Sequence, residues 1–162
     1  MIQYKQMARE IVDRVPDIGT DGCFLMSLAD IGCTAVGKEI YPNDIERLYW
    51  YAIPKYMEQG DKVEENKCLI LDHEEIIRIA GMLAGHRLRD VEYRYRKDGN
   101  RLADWSMNGW DSCNYFVAKV PYKKSGHFLR VIPDGNGGWE TLYNPGVTDG
   151  ERISIRGYYV RY

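Results

Sequence analysis

The chain lacks what would hold a polyanion or a bilayer. Its 22 lysines and arginines are outnumbered by 24 aspartates and glutamates, for a formal charge of -2. Without a basic field, nucleic acid and anionic lipid are excluded as expected partners. The one basic stretch, "YRYRK" at 93–97, alternates arginine with tyrosine and reads as a single exposed strand face. No run approaches the roughly 18 apolar residues of a membrane span. The opening "MIQYKQMAREIVDRV" reads as an amphipathic helix and lacks the basic-then-apolar order of a signal peptide. A cytoplasmic protein is therefore expected.

Cysteine pairs at metal-binding spacing are absent too. The four cysteines stand at 23, 33, 68 and 113, none two residues from another and none among histidines. A zinc site is not expected, nor any other metal or cofactor. Reduced thiols follow from the expected compartment, with Cys33, Cys68 and Cys113 buried as small apolar residues. Internal repeats and low-complexity segments are also missing.

What is present is an ordinary globular composition, 44% hydrophobic and 28% charged, in 162 residues. That is enough for one domain with a sizeable core. The hydrophobic period divides it. Residues 1–89 read as helical: after a loop "PDIGTDG", a helix opens at Cys23 with Phe24, Leu25, Leu28, Ala29 and Ile31 at helical spacing, and Gly32 can end it. A second helix starts at Pro42 or Asn43, meets Pro54 and closes by Gly60. A third opens at Asp72, with Glu75 completing a capping box. From residue 90 the period becomes two. "DVEYRYRK", "NYFVAKVPY", "GHFLRVIP", "GWETLYN" and "RISIRGYYVRY" read as strands, giving α+β with an antiparallel sheet. The linker 98–112, with Trp105 and Trp110, is long for a hairpin.

Cys23 raises the chemical question. A helix N-terminus lowers a thiol's pKa, Gly22 leaves room for a substrate backbone, and Thr20, Asp21 or Gly22 could cap the helix. A nucleophilic thiol also needs a base. Of three histidines, His73 falls in the first turn of a capped helix and reads as solvated, and His86 follows a helix end. His127 lies in a strand with Ser125, Leu129 and Val131 on its face and Gly126 opening space beside it. The hairpin turn "PDGNGG" follows. Centred on Gly135–Asn136 it sets His127 opposite Asn144; centred on Asn136–Gly137 it makes Asn144 a diagonal neighbour. Either register brings an amide within reach of the imidazole.

These residues, in the order Cys, His, Asn, resemble papain-like bacterial cysteine peptidases, particularly the group that processes bacteriocin leaders. "GCFLMSLADIG" matches the nucleophile helix, with Ser27 a turn after Cys23. Gly37, Ile40 and Pro42 match the connector, Gly126–His127 the base strand, and Asn144–Pro145 the orienting residue. The resemblance spans about residues 20–50 and 125–146. It implies a papain-like fold, a bacterial or phage source and a Cys23–His127–Asn144 triad cleaving a peptide through a thioester. It also implies an upstream glutamine in an oxyanion hole, Gln3 or Gln6, with Gln6 the closer. Peptidoglycan is the alternative substrate, with Trp105 and Trp110 suited to a sugar-lined cleft and a phage-type lysis system to release the enzyme. A non-catalytic module with residual triad residues is the rival class.

Overall fold

The computed structural model describes residues 2, 4–56, 70, 72–99, 112–123 and 125–162. Among these residues five helices precede five strands: α1 Arg9–Val12, α2 Pro16–Asp21, α3 Cys23–Val36, α4 Pro42–Tyr56 and α5 His73–Leu83, then β1 Asp90–Asp98, β2 Tyr115–Tyr122, β3 Ser125–Pro133, β4 Trp139–Tyr143 and β5 Ser154–Arg161. The strands form one sheet in the order β1-β5-β2-β3-β4, and every neighbouring pair is antiparallel. Among the described residues no helix is long and apolar enough to cross a membrane.

The α3 helix is buried from Phe24 to Cys33, with the polar Ser27 and Asp30 buried among its apolar residues. It does not stop at Gly32. It runs four residues further and ends at Gly37, whose φ of 80° supplies the left-handed cap. Gly32 instead lets α5 approach: a Cβ there would stand 2.5 Å from the Ile77 carbonyl oxygen and 2.8 Å from the Ala80 Cβ. The α5 cap is as expected, with the Asp72 side chain accepting from the Glu75 backbone N–H at 3.1 Å.

Two expectations fail before residue 22. The opening segment is helical only over Arg9–Val12. Ile2 and residues 4–6 lack helix because other parts of the chain hold their polar groups: Ile2 N donates to Asp30 Oδ1, the Tyr143 hydroxyl donates to Tyr4 O, and Gln6 N donates to Pro145 O. "PDIGTDG", read as a loop, is α2, with Pro16 at its start and Asp17 in its first turn; these were helix-start signals.

One sheet face carries Val117, Tyr158 and Val160 into the main core with α3, α4 and α5. The other gathers Phe116, Ala118, Val120, Leu129, Val131, Trp139 and Ile155 into a second cluster. Between α3 and the first face lies a buried ion pair, Arg130 Nη1 to Asp30 Oδ2 at 2.6 Å, with the side chains 2% and 3% exposed. Cys23, Cys33 and Cys113 carry reduced thiols. Burial and the nearby Asp30 carboxylate push the Cys33 thiol up to about 11. Cys113 is half-buried rather than buried, because it precedes β2 at the margin of the second cluster. Cys68 lies outside the described residues.

Removing one member of a buried pair strands the other charge, at a cost of about 3–5 kcal/mol, whereas an apolar pair of similar volume is near neutral. Arg130→Ala is expected to destabilise by that amount in urea unfolding, and Asp30→Leu/Arg130→Met to recover most of it. Equal losses in the two variants would contradict this assignment.

Candidate functional site

Cys23 is the first residue of a 14-residue helix with no acidic residue in its first turn. The α2 and α3 helices abut at Gly22, whose N–H donates to Ile18 O and whose carbonyl accepts from Met26 N, each at 2.9 Å. A Cβ at Gly22 would lie 2.5 Å from the Ile18 carbonyl oxygen. The glycine therefore permits the junction, and the space at its Cβ position belongs to Ile18 rather than to a substrate. The thiol is half-buried at the positive end of α3. Ser27 Oγ donates to Cys23 O at 2.8 Å, tightening that turn.

His127 is 6% exposed and lies near the start of β3. Its Nε2 is 2.7 Å from Asn144 Oδ1. Next to the turn the ladder follows neither expected register, and a bulge then brings it onto the second one, with Asn144 diagonal to His127. The ladder runs from Pro133↔Trp139 to Val131↔Thr141, then shifts, pairing Arg130 with Tyr143. The bulge takes up Leu142 and turns Asn144 onto the face of His127 as a diagonal neighbour. The surrounding bonds fix the amide orientation: Asn144 Nδ2 donates to Thr148 O at 2.9 Å, and Gly146 N donates to Asn144 Oδ1 at 2.9 Å. Since Oδ1 accepts, Nε2 of His127 must donate, and the neutral imidazole keeps its lone pair on Nδ1. Gly146 completes the seat. A Cβ there would stand 2.7 Å from the imidazole Cε1 and 3.0 Å from Nε2.

The helix and the strand meet one residue further along each. Phe24, next to Cys23, stacks on Phe128, next to His127, with ring centroids 4.3 Å apart. The Arg156 guanidinium lies over both rings, at 5.4 and 4.9 Å. Alternation along β3 sends Phe128 and Arg130 toward the helices and His127, Leu129 and Val131 toward the other face. The imidazole therefore lies where β4 has already ended, beside the Asn144–Pro145–Gly146 turn.

His73 is not solvated as expected. It meets Phe24 edge-on at 4.9 Å, stacks on Tyr93 at 4.5 Å, and its Nδ1 lies 2.9 Å from the Tyr158 hydroxyl. Burial, reinforced by Arg156, lowers its pKa to about 4. His86 stacks on Tyr162 at 4.0 Å.

Gln6 is buried, and its amide nitrogen donates to the carbonyls of Ile18 at 3.3 Å and Gly19 at 3.1 Å. Its Oε1 is buried and has no hydrogen-bond partner. The space expected beside Gly126 holds the aliphatic stem of Lys119. Gln3, Trp105 and Trp110 lie outside the described residues. Among those described, no group of three His, Cys, Asp or Glu side chains could hold a metal ion. Two residues of the site have no reading from the sequence: Gly146, for which "NPG" after a strand is a signal since a glycine there admits a close neighbour, and Lys5, whose Nζ donates to the Asn144 and Gly146 carbonyls.

Two outcomes follow from this geometry. Nitrogen NMR of His127 should show the Nε2–H tautomer, and Gly146→Ala, by displacing the ring, should abolish the Asn144 bond and mix the tautomers. For His73 the folded pKa lies below the unfolded value of 6.5. Its contribution is therefore complete above pH 6.5 and is lost as pH falls toward 4, by up to about 3 kcal/mol. Urea unfolding across that range should lose this slope in His73→Phe; an unchanged slope would refute it.

No family model, curated protein or solved structure matches this chain.

Proposed function

We propose that the chain is a papain-like cysteine hydrolase acting on a peptide or peptide-like amide. Cys23 is the nucleophile, His127 the base and Asn144 the orienting residue. The observation that supports it best is the contact of His127 Nε2 with Asn144 Oδ1: the amide oxygen accepts from the Nε2–H, which leaves Nδ1 as the basic nitrogen. That imidazole adjoins Phe128, and Phe128 stacks on the neighbour of Cys23. The reading requires thiol and ring to meet around the open end of the sheet, beyond Tyr143.

The chemistry is acyl transfer in two halves. Nδ1 takes the thiol proton, and the thiolate attacks the amide carbon to form a tetrahedral adduct. The imidazolium returns that proton to the departing amine, leaving a thioester on Cys23. Water then attacks the thioester while Nδ1 accepts its proton, and collapse releases the acid and restores the thiol. The positive end of α3 favours the thiolate.

A non-catalytic peptide-binding module is favoured by one observation. The Gln6 amide, which an oxyanion hole would need, donates to the Ile18 and Gly19 carbonyls.

Hydrolysis of a mixed peptide library separates the two readings. Cys23→Ala and His127→Ala should each reduce cleavage to background. Asn144→Ala should retain part of it, since a positioned base is worth about 10²–10⁴-fold and orientation is a fraction of that. Peptides that bind but stay intact with wild-type protein would establish the module instead.

A further inference from the structure

We propose that the segment Tyr4–Lys5–Gln6 is a positioning strap for the imidazole, with Lys5 its principal positioning residue. The turn that seats His127 has three consecutive carbonyls, and all three are held by two residues of this segment. Lys5 Nζ donates to Asn144 O at 3.1 Å and to Gly146 O at 2.8 Å. Gln6 N donates to Pro145 O at 2.7 Å. One residue back, Tyr4 O accepts from the Tyr143 hydroxyl at 2.6 Å.

Within the turn only the Asn144 side chain bonds across it, accepting from Gly146 N and donating to Thr148 O, and Pro145 has no N–H to add. The carbonyls of Asn144, Pro145 and Gly146 are held from outside, by the strap. The strap fastens one edge of the turn while the imidazole rests on the other, with no room for a Cβ at Gly146. Gln6 also carries the constraint across the molecule. Its backbone N–H holds Pro145 beside His127, and its side chain holds Gly19, one helical turn before Cys23. A single buried residue thus ties the turn beside the base to the helix leading into the nucleophile. Its Oε1 lacks a partner, so the side chain is retained there despite an unmet polar atom.

The functional meaning of the strap rests on the hydrolase reading; its physical effect on His127 does not. The test is therefore made without substrate, in both wild-type and Cys23→Ala backgrounds. The rate of solvent exchange of the His127 Nε2 proton is measured by NMR in Lys5→Met and Lys5→Arg. Loss of a two-acceptor, charge-assisted contact should raise that rate about fivefold or more in Lys5→Met, with backbone amides in α3 and β5 unchanged. Lys5→Arg, which keeps the charged donors, should remain near wild type. An unchanged exchange rate in Lys5→Met, or a rise matched by the core amides, would overturn the strap. If the strap behaves as described while the peptide library stays intact, the hydrolase reading alone has failed.

Discussion

The contact between Asp30 and Arg130 holds the two layers in register, and most of the remaining architecture follows from it. A buried carboxylate and guanidinium are costly to desolvate unless their geometry is satisfied. Here the pair closes at 2.6 Å, Asp30 Oδ1 accepts from Ile2 N, and the Arg130 guanidinium lies over the Tyr115 ring, although Arg130 Nε is buried with no partner among the described residues. The layers cannot slide without stranding those charges. Asp30 stands six residues beyond Phe24, about 9 Å along the helix axis. Arg130 stands two residues beyond Phe128, about 7 Å along the strand. These similar spans let the ion pair and the Phe24–Phe128 stack form together. Fixing α3 at Asp30 thereby brings its first turn to the start of β3.

The same carboxylate is where the opening segment begins its path over the molecule. From Asp30 the chain crosses Tyr143, fastens the Asn144–Pro145–Gly146 turn and reaches the end of α2 through Gln6. Residues far apart in sequence are tied together along this path. Helix polarity acts on the thiol at the start of α3, and the His127 imidazole lies beside the turn, on the sheet face away from the helices. No large pocket is needed to explain this arrangement. Its specificity comes from backbone carbonyls and from glycines too tightly packed to bear a side chain.

Sequence legibility tracks how local each determinant is. The five strands were readable because alternation is a property of neighbouring residues, and the Asp72 cap because its partner lies three residues away. His127 and Asn144 were readable as a pair because their separation across one short turn allows few registers. The bulge at Leu142 was not visible: it depends on turning Tyr143 toward Tyr4 while Thr141 stays opposite Val131. The opening segment carried a helical pattern, but bonds to residues over a hundred positions away prevailed over that propensity. Gly32 looked like a stop because its purpose, the approach of Ile77, lies in another helix. His73 looked solvated for the same reason, since Tyr158 and Phe24 reach it only in the folded chain.

The central claim is that Cys23 and His127 act as one ionising unit. Its most direct test is the rate of alkylation of Cys23 by iodoacetamide as a function of pH, followed by mass spectrometry of the modified peptide. A thiolate paired with an imidazolium should react rapidly at pH 6, far below the ordinary thiol pKa of about 8.5, and His127→Ala should restore ordinary thiol behaviour. Identical profiles in wild type and His127→Ala, both rising only near the ordinary thiol pKa, would contradict the account.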